Sequence, residues 1–170
     1  MIAYASTLAA KYRSKGVFLD SNLLVLLFVG LLDPNRVQSF KRTYNQGFTE
    51  HDFSLLQNIV TAFSKVVTTP HILTETTNYL CEFRGEARQS VLQIIAKTVQ
   101  SFKERRSESK KLVRTDFFLH FGLTDSAVLD LPPKKYLVLS VDAPLVIALQ
   151  KRGIDAINFN HLRQQSWQQG

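Results

Sequence analysis

Short runs of consecutive apolar residues alternate along this chain with longer stretches in which apolar positions recur every three or four residues. Val17-Phe18-Leu19, Lys65 to Thr69, Tyr136 to Leu139 and Ile154 to Phe159 read as strands, the last at a sheet edge. Helical spacing fills the intervals. An apolar helix runs from Ser21 to about Gly30, and a helix capped by Asp52 carries Leu55, Leu56, Ile59, Val60 and Phe63. Pro70 opens a helix bearing Ile72, Leu73, Glu75, Tyr79 and Leu80, and a longer helix from about Glu86 buries Val91, Leu92, Ile95, Val99 and Phe102. Gly122 stops a short helix at Phe117 to Phe121, Thr124 caps the next, and Ala143 to Lys151 forms the last. Asp33-Pro34-Asn35 reads as a turn. The basic stretch Lys103 to Lys111 predicts a mobile loop, and the Gln-rich end after His161 a frayed tail. This alternation predicts an α/β fold with a mainly parallel sheet: one domain over residues 1–170 with its core at about 16–160, without repeats or linkers.

Composition narrows the class. A chain of 170 residues with 45% hydrophobic content can bury a real core. Leu23 to Leu32 is membrane-like in composition, but Asp20 and Asp33 bracket it more closely than the roughly 20 apolar residues a bilayer span requires, so it reads as a core helix. Met1 to Lys15 has no basic segment ahead of an apolar one, hence no expected signal peptide and no membrane partner. The single cysteine, Cys81, forms no internal disulfide and no thiolate cluster, which predicts a reduced cytoplasmic setting. The net charge of +7 makes a polyanionic partner plausible, nucleic acid first and acidic membrane surface behind it.

Four acids occupy informative positions. Asp20 ends the first strand, Glu75 and Asp125 lie early in helices, and Asp142 follows the Tyr136–Leu139 strand. Carboxylates so placed line the carboxyl-end crevice of an open α/β sheet. Gathered there, they form an all-oxygen site suited to Mg²⁺ or Mn²⁺. Singly, Asp125 and Asp142 are also explained as partners of a helix dipole. Asp116 competes with Asp125 for the third position but lacks its Gly-Leu-Thr lead-in. His51, His71, His120 and His161 show no metal-ligand spacing, and no catalytic serine triad or glycine-rich phosphate loop competes. Lys103, Arg105, Arg106, Lys110, Lys111 and Arg114 form the densest basic group, with Lys11, Arg13 and Lys15 before the first strand; they read equally well as phosphate contacts or as a solvated face.

Asp20-Ser21-Asn22, Pro70 to Glu75, Gly122 to Ala127 and Ser140-Val141-Asp142, in that order, resemble the motifs of the PIN domain nucleases, over nearly the whole chain from Val17 to about Phe159. The resemblance implies a three-layer α/β/α sandwich and Mg²⁺- or Mn²⁺-dependent hydrolysis of RNA. It assigns Asp20, Asp142 and Asp125 as ligands, with Glu75 acting directly or through water. Asn22 and Ser140 match small polar positions that orient ligands, and Thr124 reads either as a cap or as a site residue. The prokaryotic toxin-like members it is similar to pair with an antitoxin protein and commonly form homodimers, for which the Leu23–Leu32 helix is a candidate interface. Other classes stand beside this one. A catalytically silent PIN-like module would bind RNA or protein without turnover. A dehalogenase-like phosphatase expects a second aspartate where this chain has Asn22, and a receiver domain expects paired acids and a lysine that the chain does not place.

Overall fold

In the computed structural model, which describes residues 2–167, five strands form one sheet in which every pairing is parallel. The strands are β1 (Val17–Leu19), β2 (Val66–Thr68), β3 (Lys103–Glu104), β4 (Leu137–Ser140) and β5 (Ala156–Asn158). Their order is β3-β2-β1-β4-β5, flanked by helices as a three-layer α/β/α sandwich. β1 is central and wholly buried, so its uninterrupted Val-Phe-Leu run is the pattern a doubly covered parallel strand requires.

The helices are α1 (Ile2–Tyr12), α2 (Ser21–Leu32), α3 (Lys41–Asn45), α4 (Glu50–Thr61), α5 (Pro70–Leu80), α6 (Gly85–Thr98), α7 (Ser109–Leu112), α8 (Phe118–Leu129), α9 (Ala143–Lys151) and α10 (Phe159–Trp167). α2 is buried at every position from Leu23 to Gly30. Those residues therefore belong to the core, and they offer no surface for the expected homodimer. Gly30 is required there, because a Cβ would stand 2.1 Å from the Phe53 ring of α4.

Several expectations are corrected. Asp52 is not the cap of α4: Thr49 is, and Asp52 closes a capping box with it from the first turn. Residues 103–111 are not simply a loop. Lys103 and Glu104 pair with Val67 and Thr68 as an edge strand, and Ser109–Leu112 is helical. Two exposed charged residues suit an edge, where they discourage further strand addition.

The end of the chain is not frayed through Trp167, although Gln168 to Gly170 lie outside the described residues. α10 is fixed by Arg163, which is 7% exposed, while its partner Asp52 is fully buried. Arg163 Nε donates to Asp52 Oδ1 at 3.1 Å and Nη2 to Oδ2 at 2.8 Å, with further donations to the Gln46 and Gly47 carbonyls. The guanidinium also lies 5.0 Å from the ring centres of both Phe48 and Trp167. No described helix is long and apolar enough to cross a membrane.

Candidate metal centre

The strand order reverses between β1 and β4, and such a switch point opens a crevice at the carboxyl ends of the strands. Asp20 follows β1 and Asp142 follows β4, so both stand at that opening. Asp20 caps α2: its Oδ1 accepts from the Leu23 N–H at 2.8 Å. Its Oδ2 reaches across the switch point and accepts from the Ser140 hydroxyl at 2.5 Å and the Val141 N–H at 3.0 Å. The Ser140 oxygen in turn accepts from the Asp142 N–H at 3.0 Å. Asp142 caps α9 by accepting from the Leu145 N–H at 2.8 Å, and its side chain is exposed. Asp20, fully buried Ser140 and Asp142 thus form a continuous chain of hydrogen bonds.

Glu75 comes from the second turn of α5, half-buried, and accepts from the Tyr79 hydroxyl at 2.7 Å one turn on. The Arg42 guanidinium lies 3.4 Å from the Tyr79 ring centre. Burial and then the Glu75 hydrogen bond push the Tyr79 hydroxyl above its usual pKa. Asp125 is half-buried in α8, just past Gly122, whose φ of 70° breaks the helix there.

Electrostatics tie the four acids together. Burial, followed by the charges of Asp142, Glu75 and Asp20, raises Asp125 to about 7. Burial raises Asp20 to about 6 against the opposing pull of its three hydrogen bonds, with Asp142 adding to the rise. Each predicted ligand therefore lies within electrostatic reach of Asp125. Among the described residues, however, no three Asp, Glu, His or Cys side chains are close enough to hold a metal ion. Repulsion between carboxylates acts over longer distances than a metal–oxygen bond of about 2.0–2.1 Å, so the acids share a field without sharing a ligand sphere.

The donor set fits Mg²⁺ or Mn²⁺ in kind, being all oxygen and charged. Its mutual repulsion is what a divalent cation relieves. Both Asp20 oxygens and Asp142 Oδ1 already take protein donors, whereas Asp125 takes none among the described residues, which leaves its oxygens and the second oxygen of exposed Asp142 the freer ones.

Of the accompanying residues, Ser140 lies between two of the acids, donating to Asp20 and accepting from the Asp142 N–H. Asn22 is half-buried in the first turn of α2 and makes no side-chain hydrogen bond among the described residues. Thr124 lines a groove of about 490 Å³ between α5 and α8 together with Glu75, Tyr79 and His71. Asp116 is exposed elsewhere and is not among the groups acting on Asp125.

The basic group is more self-neutralised than its composition suggests. Arg106 pairs with Glu104 at 2.7 Å, Lys110 with Glu108 at 3.1 Å and Lys111 with Asp130 at 2.7 Å. Lys103, Arg105 and Arg114 have no acidic partner among the described residues. Sequence reasoning missed Tyr79 and Arg42. The four-residue step from Glu75 to Tyr79 is legible in the chain; the approach of Arg42 from α3 is a tertiary contact with no local signal.

An apolar cavity of about 300 Å³ between the sheet and helices α1, α4 and α10 is lined by none of the four acids. Comparison of the chain with known families, with characterised proteins and with solved structures gives no significant match.

Proposed function

We propose that this protein is a metal-dependent nuclease of the PIN type that hydrolyses RNA phosphodiester bonds at the crevice between β1 and β4. The observation that carries the reading is the meeting of Asp20 and Asp142 at the switch point between β1 and β4, joined through Ser140, with Asp125 and Glu75 close enough for the four charges to act on one another. Four carboxylates concentrated at a switch point are costly to the apo fold, and they have a purpose if a cation neutralises them.

Mg²⁺ or Mn²⁺ held there supplies an activated water and charge stabilisation for the scissile phosphate. The chain's own residues do the positioning. The β1 and β4 ends fix Asp20 and Asp142, and Ser140 couples them. Tyr79 orients Glu75, and the proton that half-buried Asp125 takes up below about pH 7 competes there with metal. The +7 chain attracts the polyanion from a distance.

A second reading, a PIN-like module that binds RNA or protein without turnover, is favoured by one observation: no three acids already lie at ligating distance.

Cleavage of end-labelled structured and single-stranded RNA in Mn²⁺ or Mg²⁺ separates the two. The nuclease reading predicts products ending in 5′-phosphate and 3′-hydroxyl, abolished by EDTA and reduced at least 100-fold in Asp142→Asn and Asp125→Asn, as loss of a transition-state charge contact implies. Absence of cleavage with every RNA, from protein that binds RNA, would leave the silent module.

A further inference from the structure

Two groups of charges lie along the seam between α8 and α9. Asp142 caps the start of α9 and Asp125 stands just past the Gly122 break in α8, while Arg152, just past the end of α9, donates from Nε to the Leu129 carbonyl at the end of α8 at 3.0 Å. The ten-residue step from Asp142 to Arg152 corresponds to about 15 Å of helix.

At this far end lies an open basin of about 620 Å³ whose lining includes Arg114, Asp116, Phe117, His120, Lys151 and Arg152. Arg152 is held on two sides, by the Leu129 carbonyl and by the Phe117 ring, whose centre is 4.7 Å from the guanidinium carbon. Its two terminal amino groups make no hydrogen bond among the described residues. Arg114 and Lys151 are exposed and have no acidic partner among the described residues, so three cations from two segments of chain meet at one concavity; Asp116 is the carboxylate in its lining, and Asp130, which acts on Arg152 from outside it, is already paired with Lys111.

A solvated surface cation is ordinarily mobile. One whose guanidinium is already immobilised loses less freedom when it takes an anion, and its planar fork matches two phosphate oxygens at once. We propose that the Arg114–Lys151–Arg152 basin is a phosphate-binding site, separate from the acidic centre. Its ligand is a phosphate group, carried by a nucleic-acid strand or by a small phosphorylated molecule.

The test is isothermal titration at low salt in EDTA, which removes any contribution from cleavage or metal. The probes are inorganic pyrophosphate, a short RNA with a 5′-phosphate and the same RNA with a 5′-hydroxyl. The variants are Arg114→Glu and Lys151→Glu, both at exposed positions without acidic partners among the described residues, with Lys41→Glu on α3 as a charge control. Binding of pyrophosphate or RNA that weakens roughly tenfold or more in both basin variants and not in Lys41→Glu establishes the site. Pyrophosphate binding alone identifies a small phosphorylated ligand, RNA binding alone identifies strand phosphates, and preference for the 5′-phosphate identifies an end. Affinities that fall equally in all three variants show bulk attraction only and overturn the proposal, as does the absence of binding by every probe.

Discussion

Asp125 is the residue on which the acidic centre can be read most directly. Its folded pKa of about 7 lies above its ordinary 3.8, so the folded protein binds this proton more tightly than the unfolded chain. Stability from that proton is complete below about pH 4 and is lost as pH rises toward 7. Asp125→Asn removes the charge and should stabilise the metal-free protein at pH 8 by about 1 kcal/mol, discounted for partial exposure, or roughly 2–4 °C in Tm. The difference should narrow at pH 5, where the folded wild type is already protonated, and vanish only below about pH 4. Thermal denaturation in EDTA at the two pH values measures it; a variant less stable than wild type at pH 8 would contradict the account. Ser140→Ala makes a second test, because it leaves the Asp142 N–H without its acceptor and removes a donor from buried Asp20. We expect a loss of about 1–3 kcal/mol in urea denaturation and a 10- to 100-fold weaker response to Mn²⁺. An unchanged metal response would remove Ser140 from the site.

Among the elements, α10 carries a sharper consequence than its sequence suggests. Arg163→Met strands Asp52 as a buried, unpaired carboxylate and should cost about 3–5 kcal/mol in urea denaturation at pH 7. Adding Asp52→Asn should recover part of that loss, since the two residues act as one unit. A single-variant loss below about 1 kcal/mol would mean that α10 is not held as described. The reason this pair is illegible in the sequence is its separation of 111 residues. Asp52 at the start of an amphipathic helix looks like a cap, and the Gln-rich segment after His161 lacks the apolar spacing that marks a packed helix. By contrast, β1 and α9 are legible to the residue, because an apolar run ending in a capping aspartate fixes both the strand's end and the helix's start. α1 has Ala3, Ala5, Ala9 and Ala10 as good helix formers, but its meaning depends on Tyr12 packing into a core that the local pattern does not display. For the acids, sequence gives the positions after strands and in early helical turns; their convergence requires the strand order, which only the folded sheet supplies.

On the scale of the whole molecule, charge is distributed rather than simply in excess. The net +7 coexists with a crevice of four acids, while three cations of the Lys103–Arg114 group are tied to neighbouring carboxylates by exposed pairs that contribute little to stability. A polyanion is thus attracted by the molecule at large and repelled by the metal-free crevice. A divalent cation at the crevice reverses that local repulsion, so metal binding and substrate binding should be cooperative. The central claim is that the acids of this crevice hold a divalent metal, and the most direct test is isothermal titration of Mn²⁺ at pH 8 and pH 5.5, with Asp142→Asn alongside. We predict saturable binding at pH 8, weakened at least tenfold at pH 5.5 as Asp20 and Asp125 take up protons, and lost in folded Asp142→Asn. Absence of saturable binding at pH 8, or binding indifferent to both pH and Asp142, would contradict it.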